Sequence, residues 1–194
     1  MDDWGNRFLS WNTIPARHEV LPDRWRWRRL DIPSAEVLKD LTPASDDGRV
    51  FPLAPAPRVS NAEASTHFNA LAGLTIFRGR ALGPSYLGNI FVGETLANVV
   101  HRRVIQAEGA TFTSVRVEPG TEFLRSRDPW FHAVFMATGP DDNLYLADFH
   151  QEFVKHPDFV PKDMRDRVEW ARGREQGRLS ESIQLSWTPA FFRP

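Results

Sequence analysis

The stretch from Leu87 to Val117, LGNIFVGETLANVVHRRVIQAEGATFTSVRV, constrains the fold more than any other part of the chain. Gly88-Asn89 is a turn signal, and Ile90, Phe91 and Val92 follow it as a β-rich run. Val99 to Ile105 is a second run, with Arg102 and Arg103 inside it, and Thr111 to Val117 alternates small and β-branched residues. The connections are short and carry Asn98, Glu108 and Gly109. Runs joined that tightly predict an antiparallel meander, the unit from which β-propellers are assembled.

The unit recurs. WGNRFLSWNTIPARHEVL, near the start, sets Gly5, Asn6, Phe8 and His18 at the spacing of Gly88, Asn89, Phe91 and His101. DDNLYLADFHQEFVKHP aligns Asn143, Tyr145 and Asp148 with Asn89, Phe91 and Glu94, and His156 falls one place late. Recurrence at irregular intervals fits sheet modules joined by loops of differing length, whereas a solenoid would keep its period. With 14 Phe, 7 Trp, 15 Pro and 12 Gly in 194 residues, the chain is aromatic-rich and often broken, as all-β proteins are. The expected fold is therefore all-β, a partial β-propeller with one or two short surface helices.

In chain order, residues 1–22 read as an incomplete blade with strands at Arg7–Trp11 and Ala16–Leu21, and no inner strand before Asn6. Residues 23–67 read as a long connection. Within it Ile32 to Leu41 has the pattern of a short helix capped by Ser34, and Phe51 to Ser60 is proline-rich and extended. Residues 68–118 form a complete blade whose inner strand is Leu74 to Phe77. Residues 119–179 form a further blade, with a hairpin of Trp130–Ala137 and Asn143–Phe149 across TGPDDN. A charged helical insert carries Met164, Val168 and Ala171 on one stripe, and residues 180–194 are a divergent tail.

A formal net charge of −1 provides no global field for nucleic acid or a membrane surface. DRWRWRR, Asp23 to Arg29, interleaves tryptophan with arginine as a single-strand nucleic-acid site would, but one such cluster reads better as a strand with Trp25 and Trp27 on one face. The absence of cysteine removes disulfides, thiolate nucleophiles and zinc-thiolate sites. No apolar run approaches the ~20 residues of a membrane span. MDDWGNRF lacks the basic region and apolar core of a signal peptide.

In a propeller the loops after each second strand converge over the channel, and function collects there. Those positions hold Trp11-Asn12-Thr13, then Glu94-Thr95 with Asn98, then Asp148 with His150 and Glu152. Brought together, Glu94, Asp148, His150 and Glu152 would make a polar pocket able to bind sugar hydroxyls or a divalent ion, or to move a proton. They read equally well as solvated loop residues. Asp148, His150 and Glu152 are the candidate catalytic set, since alternate residues of an extended segment share a face. Glu94, Asn98, His101 and Arg102 are the candidate cofactor-binding set. His18 and His101, at a framework position, first suggest structural hydrogen bonding; beside His101, Arg102 and Arg103 also offer cations to an anionic cofactor such as a quinone carboxylate. No metal-ligand set is assigned, and Asp141-Asp142-Asn143 reads as a turn. Nothing matches a phosphate-binding glycine loop, a nucleophile elbow or HExxH.

Taken together, FNALAGLTIFRG, YLGNIFVGETLANVVHRRVI, TEFLRSRDPWFHAV, TGPDDNLYLADFHQEFVKHPDFVP and GREQGRL resemble the propeller domain of membrane-bound dehydrogenases similar to glucose/sorbosone dehydrogenases, often joined to a c-type haem domain. The likeness runs from Asn6 to Arg178. It implies a six-bladed propeller, of which about 40–50 residues per blade allow this chain three to four blades. It also implies export from the cytoplasm, and oxidation of a sugar or alcohol with a pyrroloquinoline quinone-like cofactor and calcium. The chain departs from the pattern at Ala72 and Gly93, where family members tend to carry cysteines. It departs again at Gln151, in place of an arginine, with His150 before it in place of an aromatic. A haem-attachment CxxCH is missing. A partial propeller of this kind would have to recruit another propeller segment or self-associate. The alternative reading is a non-catalytic segment that binds carbohydrate or a protein partner.

Overall fold

The computed structural model describes residues 1–26, 31, 33, 37–53, 66–152, 162–165, 169, 172–173 and 175–181. Among these, the strands form three antiparallel sheets. The first contains β1 (Arg7–Leu9), β2 (Arg17–Glu19) and β3 (Leu38–Asp40) in that order. The second contains β4 (Leu71–Ile76), β5 (Ile90–Glu94), β6 (Val99–Glu108) and β7 (Thr111–Arg116), with β8 (Leu124–Arg125) also paired to β6. The third contains β9 (Ala133–Thr138), β10 (Leu144–Asp148) and β11 (Arg178–Glu181). The helical elements of the described residues are α1 (Asp23–Arg26), a 3-10 turn at Pro84–Tyr86 and α2 (Lys162–Arg165). The protein is all-β.

The second sheet is the middle layer. Successive residues of a strand point to opposite faces, and β5 divides its side chains accordingly. Ile90 joins Phe8, Ala16, Leu41, Ile76 and Phe112 in the cluster shared with the first sheet. Phe91 joins Phe77, Val100, Ala133, Met136, Leu144 and Leu146 in the cluster shared with the third. Val92 belongs to a further cluster with Val50, Phe68, Leu71 and Val99. Ile90, Phe91, Val92, Val99 and Val100 are all fully buried, which explains why β5 and the start of β6 read as unbroken apolar runs.

Two glycines allow the second and third sheets to approach. A Cβ on Gly73, which sits at φ 64, would strike the Phe135 backbone, and one on Gly93 would strike the carbonyl of Ala133. The ladder between β4 and β5 is irregular between Ala72 and Thr75, so Gly73 lies in that break. Ala72 and Gly93 are register partners. The resemblance expects cysteines at these two positions, and a side chain at 93 has no room while β9 lies where it does.

Several expectations change. Leu38–Asp40 is a strand paired to β2 and not the end of a helix, so the first module gains its third strand from what read as connection. Ser34 and the rest of that expected helix's start lie outside the described residues. Asp23–Arg26 is one helical turn, not a strand, and Trp27 to Arg29 lie outside the described residues. Of the expected charged helix, Lys162–Arg165 is helical; Val168 and Ala171 are outside the described residues, as are 54–60 and 182–194.

The repeated histidines are not equivalent. Phe8 faces His18 across β1–β2, but Phe91 faces Arg102 across β5–β6, and His101 faces Val92. The first hairpin is one residue shorter in register, which moves His18 to the other face. His18 stacks on Phe8 at 5.3 Å and its Nδ1 meets Thr111 Oγ1 at 2.9 Å.

Candidate functional site

The acid that closes the second strand of a module has a recurring backbone partner. Glu94 ends β5, is 1% exposed, and accepts hydrogen bonds from the backbone N–H groups of Asn69 (2.8 Å), Ala70 (2.9 Å) and Leu96 (3.1 Å). Asp148 ends β10 and accepts from the N–H groups of His132 (2.7 Å) and His150 (2.9 Å) through Oδ1. In each case the carboxylate holds the chain just before the first strand of its own sheet, β4 or β9. A carboxylate saturated by backbone donors is a structural anchor. For Glu94 that role uses both oxygens; for Asp148 it uses one.

The second oxygen of Asp148 faces a cluster drawn from four separate parts of the chain. Arg178 is its register partner on β11 and donates from Nε to Asp148 Oδ2 at 2.7 Å and from Nη2 to Asp128 Oδ2 at 3.1 Å. His150 follows at φ 41, a left-handed conformation costly for a residue with a Cβ. That geometry sets its Nδ1 at 3.5 Å from Asp148 Oδ2 and 3.8 Å from Asp128 Oδ2. Nδ1 is buried and makes no hydrogen bond among the described residues, while the side chain as a whole is 20% exposed. Asn98, itself at φ 57, holds the Asp128 loop by donating from Nδ2 to the Asp128 carbonyl at 2.8 Å.

An aromatic wall completes the cluster. The Trp130 ring lies 5.6 Å from the His150 ring, and the Arg172 guanidinium sits over Trp130 at 5.5 Å. Arg172 also pairs with Glu152 at 3.1 Å. Gly173, at φ 89, lets this segment lie against Trp130 and the backbone of His150 and Gln151. Beneath, the His132 ring bridges the carbonyls of Thr95 (2.6 Å from Nδ1) and Gln151 (2.8 Å from Nε2), so the turn after β5 is tied to the turn after β10. An imidazole between two carboxylates can take a proton from a hydroxyl and be steadied when charged. A tryptophan face beside it suits the apolar side of a sugar ring.

His101 and Arg102 lie apart from that cluster. His101 is 0% exposed; its Nδ1 meets Glu122 Oε2 at 2.6 Å and its Nε2 meets Arg103 Nη1 at 3.2 Å. Because Arg103 can only donate, the neutral ring carries its proton on Nδ1 and gives it to Glu122. The charge chain continues from Glu122 to Arg116 at 2.9 Å and from Arg103 to Asp46 at 2.7 Å, fastening the 46–51 segment to β6 and β7. Burial pushes the His101 pKa down, against the pull of Glu122. Burial raises the Asp46 carboxyl, but the Arg103 hydrogen bond and charge outweigh it and hold that carboxyl below its usual range. Arg102 pairs with Glu118 at 2.7 Å and stacks on Tyr86 at 4.2 Å.

The structure thus brings Asp148, His150 and Asn98 together, places Glu152 beside them through Arg172, and leaves Glu94, His101 and Arg102 in the framework. Asp128, Trp130, His132, Arg172 and Arg178 belong to the cluster and were missed by the sequence reading. The signal for Arg178 was its place in a third strand opposite the repeated acid; the others are joined by folding alone. A family described as a domain of unknown function (DUF7133) matches residues 1–181. No curated protein and no solved structure is significantly similar to the chain.

Proposed function

The chain belongs to the DUF7133 family, and with that as premise we propose that it is a partial β-propeller of the quinoprotein sugar or alcohol dehydrogenase class. The observation that carries this reading is His150, held in a left-handed conformation with Nδ1 between two aspartates beside Trp130. His150 accepts the proton of the substrate hydroxyl, Asp148 and Asp128 favour the resulting imidazolium, and Trp130 receives the ring of the sugar. Three meanders stacked in chain order support the propeller part of the reading.

Oxidation needs an acceptor for two electrons, and the resemblance names a pyrroloquinoline quinone-like group with calcium. The residues that the sequence offered for it do not fit: His101 is sealed and Arg102 is already neutralised by Glu118. Among the described residues, no three His, Asp or Glu side chains are grouped to hold a metal ion. No step is therefore derived through the cofactor. An extracytoplasmic location belongs to the same proposal and rests on the resemblance. Among the described residues no helix is long and apolar enough to cross a membrane.

The test adds the quinone and calcium to purified protein and follows dye reduction with aldoses and primary alcohols. Turnover that falls by roughly 10²-fold or more in His150→Gln supports the reading. Absence of quinone binding and of turnover refutes it. A second reading, carbohydrate binding without catalysis, is favoured by the saturation of Glu94 and the anchoring of Asp148. Calorimetric binding of an aldose that is lost in Trp130→Ala, without turnover, would select it.

A further inference from the structure

The sheets cover one another in a fixed order, and that order leaves a face uncovered at each end. The face of the first sheet that carries Phe8 and His18 meets Phe112 of the second. The face of the second that carries Phe91 meets Ala133, Met136 and Leu146 of the third. The corresponding face of the third sheet carries Tyr145. Beside it Phe135, Ala147 and Leu179 form one cross-strand row, with Phe135 58% and Leu179 68% exposed. That row contains no charged residue.

The opposite end of the stack is also apolar and open. Leu9 alternates with Phe8 and so points away from the second sheet; it is exposed, as are Trp4, Trp11, Val20 and Trp25 on the adjoining chain. Arg7, on the same outward face as Leu9, is paired with Glu19 at 2.9 Å, so covering that face strands neither charge. From the strands of the middle sheet, Val115 alone is among the exposed large apolar residues. Exposed apolar surface therefore gathers at the two ends of one stack. Patches of that kind mark interaction sites.

We propose that two copies of this chain dock head to tail, the Phe135–Leu179 face of each lying on the Leu9 end of the other. Each junction continues the order already used twice inside the chain, sheet face on sheet face. Two unlike faces on one molecule make a heterologous contact, which closes when the rotation between copies allows. The inference stands on the stacking order and does not depend on the dehydrogenase reading.

Light scattering on the purified full chain, from about 1 to 100 μM, tests it against ordinary interface affinities. The expected mass is twice the 22.2 kDa of one chain. Phe135→Glu with Leu179→Glu, and separately Leu9→Glu with Trp11→Glu, each yield monomer with the far-UV circular dichroism of the parent. Mixing the two double variants restores pairs, because one junction keeps both of its native faces. A parent that is monomeric throughout overturns the proposal and leaves these ends to other sheets. A dimer that ignores the Leu9 and Trp11 changes overturns it in favour of third sheet on third sheet. Open polymers overturn the closed pair.

Discussion

Glu94 brings a buried carboxylate within 3.1 Å of three backbone N–H groups, so Glu94→Gln leaves one oxygen to serve donors that now share two. The loss of charge and of an acceptor should cost about 2–3 kcal/mol, read as a lower urea midpoint at unchanged slope. Gly93→Ala presses a methyl group onto the backbone of Ala133, which cannot swing away as a side chain would. About 3 kcal/mol of destabilisation is expected there, with Gly109→Ala, where the added Cβ meets nothing, as the measure of the backbone cost at a φ of 60 alone. His101 sets a pH dependence. Its folded pKa lies below the 6.5 of the unfolded chain, so the unfolded state takes up more protons below that value. Stability is full above pH 6.5 and is lost as pH falls toward the folded value. Thermal midpoints should drop from pH 7 to pH 5, and His101→Gln should flatten that slope; a parent profile that rises on acidification would contradict the assignment.

At the scale of elements, the middle sheet buries β5 from both sides, so its amides should exchange last. Hydrogen exchange followed by mass spectrometry should rank peptides covering 90–103 as the most protected and those covering 7–19 among the least. Much of this sheet could be read from the chain, because β5, β6 and β7 are separate β-rich runs joined by short turns. The strand β3 could not. Leu38–Asp40 is strand because β2 offers it a ladder, and Val37 and Leu41 are buried by the same packing, which a helical spacing imitates. The repeated acid was also visible, at Glu94 and Asp148, yet not its use: whether a carboxylate meets solvent or backbone donors depends on the preceding strand entry. The histidine repeat misled for a related reason, since equal spacing along the chain does not survive a hairpin one residue shorter.

At the scale of the molecule, the candidate site is assembled where the third sheet meets the turn after β5. Residues 98, 128, 130, 148, 150 and 178 converge there, and no local pattern could have linked them. Arg178→Ala tests the assembly: it removes the cation shared by Asp148 and Asp128, and like-charge repulsion should open the His150 loop. The expected readout is a change in Trp130 fluorescence with the β-sheet circular dichroism signal retained, and an unchanged spectrum would remove Arg178 from the cluster. All of this presupposes that the second sheet lies between the other two, with Ile90 facing one and Phe91 the other. The methyl group of Met136 reports on that directly, because the chain has 3 methionines and selective labelling resolves them. Nuclear Overhauser contacts from the Met136 methyl should reach the rings of the Phe77–Phe91 cluster and none of the Phe8–Phe112 rings. Contacts to Phe8 or Phe112, or to no ring, would contradict the stacking.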